Sequence, residues 1–384
     1  MANPTVYVGG EDTYSSGIIP IRNLEASLDM TDPQDYPLLK AVGLNSYNVP
    51  VTSVKTEWQM DFLCPIKDTL HVAVTDTTGT QFTVHYAEYF SLHDVIMIDS
   101  ELCRVTAIDA TNNYLTVERG FAGSTAAAHL IDVDVYRLGP ARPEGSSPGW
   151  AQQVLTVQPY NVTQIFDAYA DITGTEEATR NYAPDDLLAY RVQKRQAELF
   201  MMMERALLYG KRYEPATNTG RTTGGLSDFV SDKNNISSAA LQFSDVEDAL
   251  EDVFGRAGLP NVPNSAWMNS YQMRKISQWG AGSIRTDRAE TVVGNVVTTL
   301  QTNFGVVTLN LDHLILSSEL WLLNMDEIAC APMAGRGLQE WDASVAGDDN
   351  KARRIIGEYV FIIKGEDRSN DGLNVKLYGI STSL

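Results

Sequence analysis

The chain has 384 residues, enough for two or three domains with a real hydrophobic core, and its 43% hydrophobic and 20% charged residues exclude wholesale disorder. Its 29 Lys and Arg against 49 Asp and Glu leave a formal charge of −20, which disfavours nucleic-acid binding by bulk charge, because neutralising phosphates takes a basic footprint. Cys64, Cys103 and Cys330 are odd in number and far apart, which fits a reducing compartment rather than a disulfide framework, and neither a secretory signal nor an apolar run of membrane-spanning length is present.

Residues 1–54 carry Pro4, Pro20, Pro33, Pro37 and Pro50 and no sustained period, and read as an extended N-terminal arm that must pack on something else to be ordered. Next, Glu57, Gln59 and Asp61 alternate with Trp58, Met60 and Phe62, the period of a strand with one buried face. From Leu70 to Tyr136 come many short strands punctuated by Gly79, Asn112-Asn113 and Gly120, which predict a compact all-β module over 66–145, a small barrel or sandwich. A linker-like run from Gly139 to Gly149 leaves the module, and an extended run over 154–165 follows, so the module reads as inserted between two strands.

The strongest helical signal covers 184–209. Pro184 suits the first helical position, Asp185 and Asp186 suit the positive end of the dipole, and Leu188, Val192, Leu199, Met202 and Ala206 recur at helical spacing until Gly210. Such a helix is about 40 Å long and serves as a backbone for the subunit, with Leu188, Val192, Leu199 and Met202 expected in its core face. Shorter helices are expected at 244–257, capped by Ser244 and stopped by Gly258, and at 265–279. Strands are expected at 292–302, 305–311, 314–316, 320–324, 355–364 and 373–380, with a glycine-rich stretch around Gly335, Gly337 and Gly347 between. The class is α+β.

Signals for chemistry fail on their own mechanics. Gly145-Ser146-Ser147-Pro148-Gly149 fits the spacing of a nucleophile elbow, yet the residue after the nucleophile must donate its backbone N–H to an oxyanion and Pro148 has none. His71, His85, His93 and His129 share the β module with Cys64 and Cys103 but at no metal-ligand spacing. Gly280-Ala281-Gly282 lacks the third glycine and preceding strand of a dinucleotide loop. Asp245, Glu247, Asp248, Glu251 and Asp252 make a solvated helix flank, Met201-Met202-Met203 is packing, and Asn161-Val162-Thr163 is a glycosylation sequon with no route to that chemistry. No catalytic residue, metal ligand set or cofactor site is expected.

Asn161-Val162-Thr163-Gln164-Ile165-Phe166, Gly174-Thr175 and Glu204-Arg205-Ala206-Leu207-Leu208-Tyr209-Gly210 resemble the major head (capsid) proteins of tailed bacteriophages. The resemblance continues, in order, through Arg221-Thr222-Thr223-Gly224-Gly225-Leu226, Asn303-Phe304-Gly305-Val306-Val307 and Ile356-Gly357-Glu358-Tyr359, over nearly the whole chain. The insertion resembles β modules of that family in Asp94-Val95-Ile96, Glu101-Leu102-Cys103-Arg104-Val105, Leu115-Thr116-Val117-Glu118-Arg119-Gly120 and Ala128-His129. One departure is that the arm of about fifty residues carries no long charged helical stretch, so no fused scaffolding segment is expected within it.

The resemblance implies the Hong Kong 97-like capsid fold. Its parts are an N-terminal arm (1–54), extended-loop strands (55–65 and 146–165), the inserted module (66–145), a peripheral domain (166–240 and 352–384) with spine helix 184–209, and an axial domain (241–351). It implies a non-enzymatic major capsid protein of the virion, assembled in the host cytoplasm. Copies of the chain are its partners, as hexamers and pentamers, and portal, scaffolding and decoration proteins are candidates, with no cofactor, sequence-specific nucleic acid or membrane. Trp58, Met60 and Phe62 on the loop are then expected to pack between subunits, and the negative charge keeps the shell from sticking to packaged DNA. The alternative from another class is a soluble carbohydrate- or receptor-binding protein acting through the 66–145 module, which a monomeric solution mass would favour.

Overall fold

The computed structural model describes residues 35–47, 51–61, 63–145, 156–179, 186–217, 219–279, 298–366 and 372–382. They fall into two compact units, one spanning 1–58 and 160–384, the other 59–159. In the first unit, α1 (Pro37–Val42) begins on a proline, whose missing N–H costs nothing in a first turn, and buries Leu38, Leu39 and Val42. β1 (Lys55–Glu57) follows.

The second unit holds β2 (Lys67–Thr69), β3 (Gln81–Thr83), β4 (Asp94–Ile98), β5 (Glu101–Asp109), β6 (Tyr114–Glu118) and β7 (Asp134–Pro140), paired in the order β2-β7-β4-β5-β6-β3. Just beyond β2 and β3, Leu70 and Val84 bridge antiparallel, and the His71 and His85 amides donate to Thr83 and Thr69 carbonyls. The sheet therefore closes on itself as a small barrel without a free edge. Alternation along β4 and β5 aims Ile96, Ile98, Cys103 and Val105 inward, where they meet Leu70, Phe82, Val84 and Leu115. Asn113, at φ 55, turns the chain from β5 into β6, and Asp109 accepts the Thr111 and Asn112 amides in that turn.

Back in the first unit, β8 (Tyr160–Val162) pairs antiparallel with β1, Lys55 opposite Val162 and Glu57 opposite Tyr160. The chain thus leaves for the barrel and returns from it on adjacent strands. β9 (Gln164–Thr173) alternates strictly, burying Phe166, Ala168, Ala170 and Ile172. After α2 (Gly174–Ala178) comes α3 (Leu187–Tyr209), shorter than the 184–209 expectation. Asp186 caps it from outside, Oδ1 accepting the Ala189 amide at 2.9 Å, rather than sitting in its first turn. Pro184 and Asp185 lie outside the described residues.

Along α3 the buried seam runs through Leu199, Met203 and Leu207, with Leu208 beside it. Met202, expected in that seam, is 49% exposed. At 3.6 residues per turn, four-residue steps from Leu199 keep one face and turn Met202 aside. Leu188 and Val192 are half-buried.

Next come α4 (Leu226–Phe229), β10 (Asp232–Asn235) and α5 (Phe243–Ala257). The Gln242 amide donates to Asp245 Oδ2 at 2.7 Å, so the N-terminus of α5 is fastened at Gln242 rather than Ser244. The window 265–279 is not one helix but β11 (Ser265–Met268) and α6 (Ser270–Trp279). β12 (Thr299–Thr302), β13 (Gly305–Leu311) and β14 (Leu320–Leu323) follow, whereas 314–316 is a turn that buries Leu314 and Ile315. The glycine-rich stretch is flanked by β15 (Ile328–Pro332) and contains β16 (Gln339–Asp342); β17 (Asn350–Ile363) and β18 (Val375–Tyr378) complete the unit.

Two sheets organise these strands. One has the order β10-β18-β14-β11-β13-β12. Its central strands are covered on both faces: Trp267, Trp321 and Leu323 join a core with α1, α3 and β17, while Ala266, Met268, Leu320 and Leu322 join a second core with α5 and Ile276 of α6. The other is built on β17, which pairs with β9 along Asn350–Tyr359, and on its other edge with β16 and then β15. A division at 241–351 is therefore not the one the backbone makes. β10 and β18 are hydrogen-bonded into the sheet of β11 and β14, and β15 and β16 into that of β9 and β17, because ladder partners, not sequence neighbours, decide which sheet a strand joins.

Candidate assembly elements

Three of the collinear motifs converge on one buried polar cluster. Asn161, fully buried on β8, donates from Nδ2 to the Gly224 and Phe361 carbonyls at 2.9 and 2.7 Å, and its Oδ1 accepts the Gly224 and Val162 amides at 2.8 and 2.9 Å. Its side-chain amide is satisfied at both ends, which removes the desolvation cost of a buried amide. Two residues on, the Thr163 hydroxyl donates to Glu358 Oε1 at 2.6 Å. Arg221 donates from Nε to the Thr163 carbonyl at 2.7 Å and pairs with Glu358, whose other oxygen takes Arg336 Nε at 2.8 Å. Burial alone would push the Glu358 carboxyl up, but Thr163 and the Arg221 and Arg336 guanidiniums outweigh it and hold it below the usual carboxylate range.

Gly225 makes this cluster possible. A Cβ there would stand 2.3 Å from the Ala206 carbonyl and 2.5 Å from that of Leu207, so the 221–226 loop can lie on the last turns of α3 only with glycine. The cluster thus ties the β1/β8 ladder, which carries the barrel, to α3 and β17. Arg212, just past α3, reinforces it, donating to the Tyr160 carbonyl at 2.5 Å and lying 4.0 Å from the Tyr160 ring centroid.

At the other end of the same motif, Glu204 of α3 is fully buried and accepts the Leu38 and Leu39 amides of α1, both at 3.2 Å. These first-turn amides have no acceptor within their own helix. Glu204 therefore fastens the root of the N-terminal segment to the helix.

The barrel has its own polar cluster, again from residues of the resembling steps. Glu101 is fully buried, bound by Arg119 through Nε at 2.9 Å and Nη2 at 2.7 Å, by the Ala127 amide at 3.0 Å and by His129 Nε2 at 2.9 Å. His129 Nδ1 meets Asp99 at 2.8 Å. Burial would raise the Glu101 carboxyl, and the bidentate Arg119, the Ala127 amide and His129 more than reverse it, holding it well below the usual range. The Cys103 thiol, buried and beside Glu101, is pushed up to about 12. It is a core atom, not a nucleophile.

Among the described residues no three His, Cys, Asp or Glu side chains come together as a metal site, and no helix is long and apolar enough to cross a membrane. His71 and His85 pack edge to face at 4.6 Å, His129 belongs to the Glu101 cluster, and all three cysteines are free. Ser146 to Gly149 of the elbow-like motif, and Gly280-Ala281-Gly282, lie outside the described residues.

Of the three loop residues, Phe62 lies outside the described set. Trp58 and Met60 are already buried, 6% and 9% exposed, within the single chain. Trp58 packs on Phe229 at 5.7 Å between ring centroids, and the Met60 backbone bridges Val157. Both are thus shielded within one chain, Trp58 against Phe229 of α4 and Met60 beside its backbone bridge to Val157. Several large side chains stay open, among them Leu63 on the loop at 94% exposure and others on the outer face of the β9/β17/β16 sheet. There Tyr169, Arg354 and Trp341 stand opposite one another, Tyr169 46% and Trp341 59% exposed, beside the bidentate Arg354–Asp167 pair.

Asn161, Arg221, Glu204 and Glu358 were not legible as a site. Their signal was polar residues standing inside apolar runs, such as Glu358 between Ile356 and Val360.

A family model described as SU10 major capsid protein matches residues 6–369. No curated protein matches the chain. Among solved structures, the chain is similar to one from Mycobacterium phage Bobi, at 9% identity and TM-score 0.50, covering 95% of this chain and 96% of that one. A structure from Microbacterium phage Oxtober96 matches at 11% identity and TM-score 0.49, covering 94% and 96%. One from Mycobacterium phage Adephagia matches at 10% identity and TM-score 0.47, covering 94% and 95%. The first of these likenesses speaks to the fold alone.

Proposed function

The chain belongs to the SU10 major capsid protein family, a tailed-phage major capsid protein of the virion with the Hong Kong 97-like fold, and from that premise we propose how its parts build the shell. The observation that carries the proposal is the convergence of Asn161, Thr163, Arg221, Gly224 and Glu358 on one buried cluster at the root of the β1/β8 ladder. A β1/β8 ladder fixed this firmly to α3 and β17 is a rigid element of its unit, and rigid elements are what a repeated heterologous contact needs in order to close into rings.

In this reading, residues 1–54 are the arm, β1 and β8 root the extended loop, and α3 is the spine. Copies associate as hexamers and pentamers through the arm, the loop and the open face bearing Tyr169 and Trp341. Portal, scaffolding and decoration proteins are further partners, assembly takes place in the host cytoplasm, and the chain carries out no reaction. The barrel is an accessory held by the loop.

Removing residues 1–34 tests the arm. The truncated chain keeps a cooperative thermal transition and native circular dichroism but forms no closed particles, because burial contributed by neighbouring subunits is lost. Particles of normal size from the truncated chain contradict the assignment.

A further inference from the structure

α3 turns one side to the core and the opposite side to solvent. Leu199, Met203, Leu207 and Leu208 join Phe166 and Ala168 of β9 and Phe361 of β17 in one core. At 3.6 residues per turn, Arg191, Lys194, Arg195, Glu198, Met202 and Arg205 fall on the other side, within an arc of about 100°. All of them are exposed except Glu198, which is half-buried. This ridge carries four cations against one carboxylate, in a chain whose formal charge is −20.

Arg195 pairs with Glu198 at 2.6 Å, and Arg191 donates from Nη1 to the uncharged Asp171 carbonyl at 2.7 Å. Lys194 and Arg205 meet no carboxylate among the described residues. At an ionic strength of about 0.1 M, charges beyond a Debye length of about 10 Å are largely screened, so a molecule touching the ridge feels these cations rather than the chain average. The ridge lacks the anchors of a stable contact with another folded surface, since Met202 is its one apolar side chain and no aromatic lies on it. Those anchors stand across the sheet, where Tyr169 and Trp341 are exposed. A uniformly charged polyanion needs none, and the three guanidiniums suit phosphate oxygens, which they grip in pairs.

We propose that this ridge of α3 faces the interior of the shell and contacts the phosphate backbone of the enclosed DNA without reading its sequence. From Arg191 to Arg205 the ridge runs about 21 Å at 1.5 Å per residue, a length over which duplex DNA presents about twelve phosphate charges. Four cations against that number make a loose, sliding contact rather than a tight site. Negative charge elsewhere on the chain keeps DNA off the remaining surface, so the contact is confined to α3. The proposal takes from the capsid reading only that the polyanion is the enclosed DNA.

Fluorescence anisotropy of a labelled duplex of about 20 base pairs, titrated with the unassembled full chain at about 50 to 200 mM salt, reads the contact. Two duplexes of unrelated sequence bind alike, and log affinity falls against log salt with a slope of about −3 to −4. Lys194→Gln combined with Arg205→Gln, both at exposed positions, takes about 2 off the size of that slope and weakens binding about tenfold or more. Lys233→Gln combined with Arg274→Gln removes the same charge from other exposed positions and leaves slope and affinity unchanged. No duplex binding by the unaltered chain overturns the proposal, and so does equal weakening in the two double variants. Lost self-association in the Lys194/Arg205 variant, seen by sedimentation while its duplex binding stays unchanged, overturns it in favour of a second copy as the occupant. None of these measurements needs an assembled shell, so a failure of the capsid reading, seen by microscopy, stays distinct from a failure here.

Discussion

At Glu101 a carboxylate with no exposure to water depends on Arg119 and His129 for its charge. Its folded-state pKa lies below the ordinary value, so the unfolded chain binds more protons at acid pH. The barrel's stability from this group is therefore present above about pH 4.5 and lost as pH falls below it. Glu101→Gln leaves the Arg119 guanidinium, only 6% exposed, with only the more distant, exposed Asp76 at 4.0 Å as carboxylate partner and costs about 3 kcal/mol at neutral pH. Hydrogen exchange of strands 94–118 checks both: the unaltered barrel loses protection in acid, and the variant starts lower with a flatter profile. At this scale the sequence was least readable. Asn161 looked like a glycosylation sequon and Glu358 like one charge among many, since only the fold brings Asn161, Gly224 and Phe361 within hydrogen-bond reach of one another.

Among the elements, α3 tests the packing most sharply. Leu199 is 1% exposed and Met202 49%. Leu199→Asp places an unpaired charge in the core and costs several kcal/mol, roughly the whole stability of a marginal domain, whereas Met202→Asp stays within about 0.5 kcal/mol. Urea denaturation of the two variants separates them; equal loss in both contradicts the seam. The antiparallel β1/β8 ladder makes a second prediction. With 59–159 replaced by a short Gly-Ser turn, Glu57 and Tyr160 already face each other and the remaining unit folds. Soluble protein that melts cooperatively is the expected result, and loss of all structure contradicts the division into units. Elements with one buried face were legible: 305–311 was read to the residue, and α5 within one. β11 was read as part of a helix because a central strand covered on both faces carries no alternation, and 314–316 passed for a strand because its leucine and isoleucine are buried in a turn.

For the whole molecule, fold class and family were within reach of the sequence because the motifs keep their order along the chain, even though each is short. Which strands share a sheet was not, since β10 meets β18 and β9 meets β17 across more than a hundred residues. The charge of −20 per chain sets the condition for assembly, because copies of one anionic chain repel until salt screens them over a Debye length of about 8 Å at physiological ionic strength. Electron microscopy paired with sedimentation of the purified chain across a salt series tests the central claim most directly. Closed shells of hexamers and pentamers, increasing in yield as salt rises and needing neither metal nor nucleotide, are predicted. A compact monomer at every salt and protein concentration would contradict it.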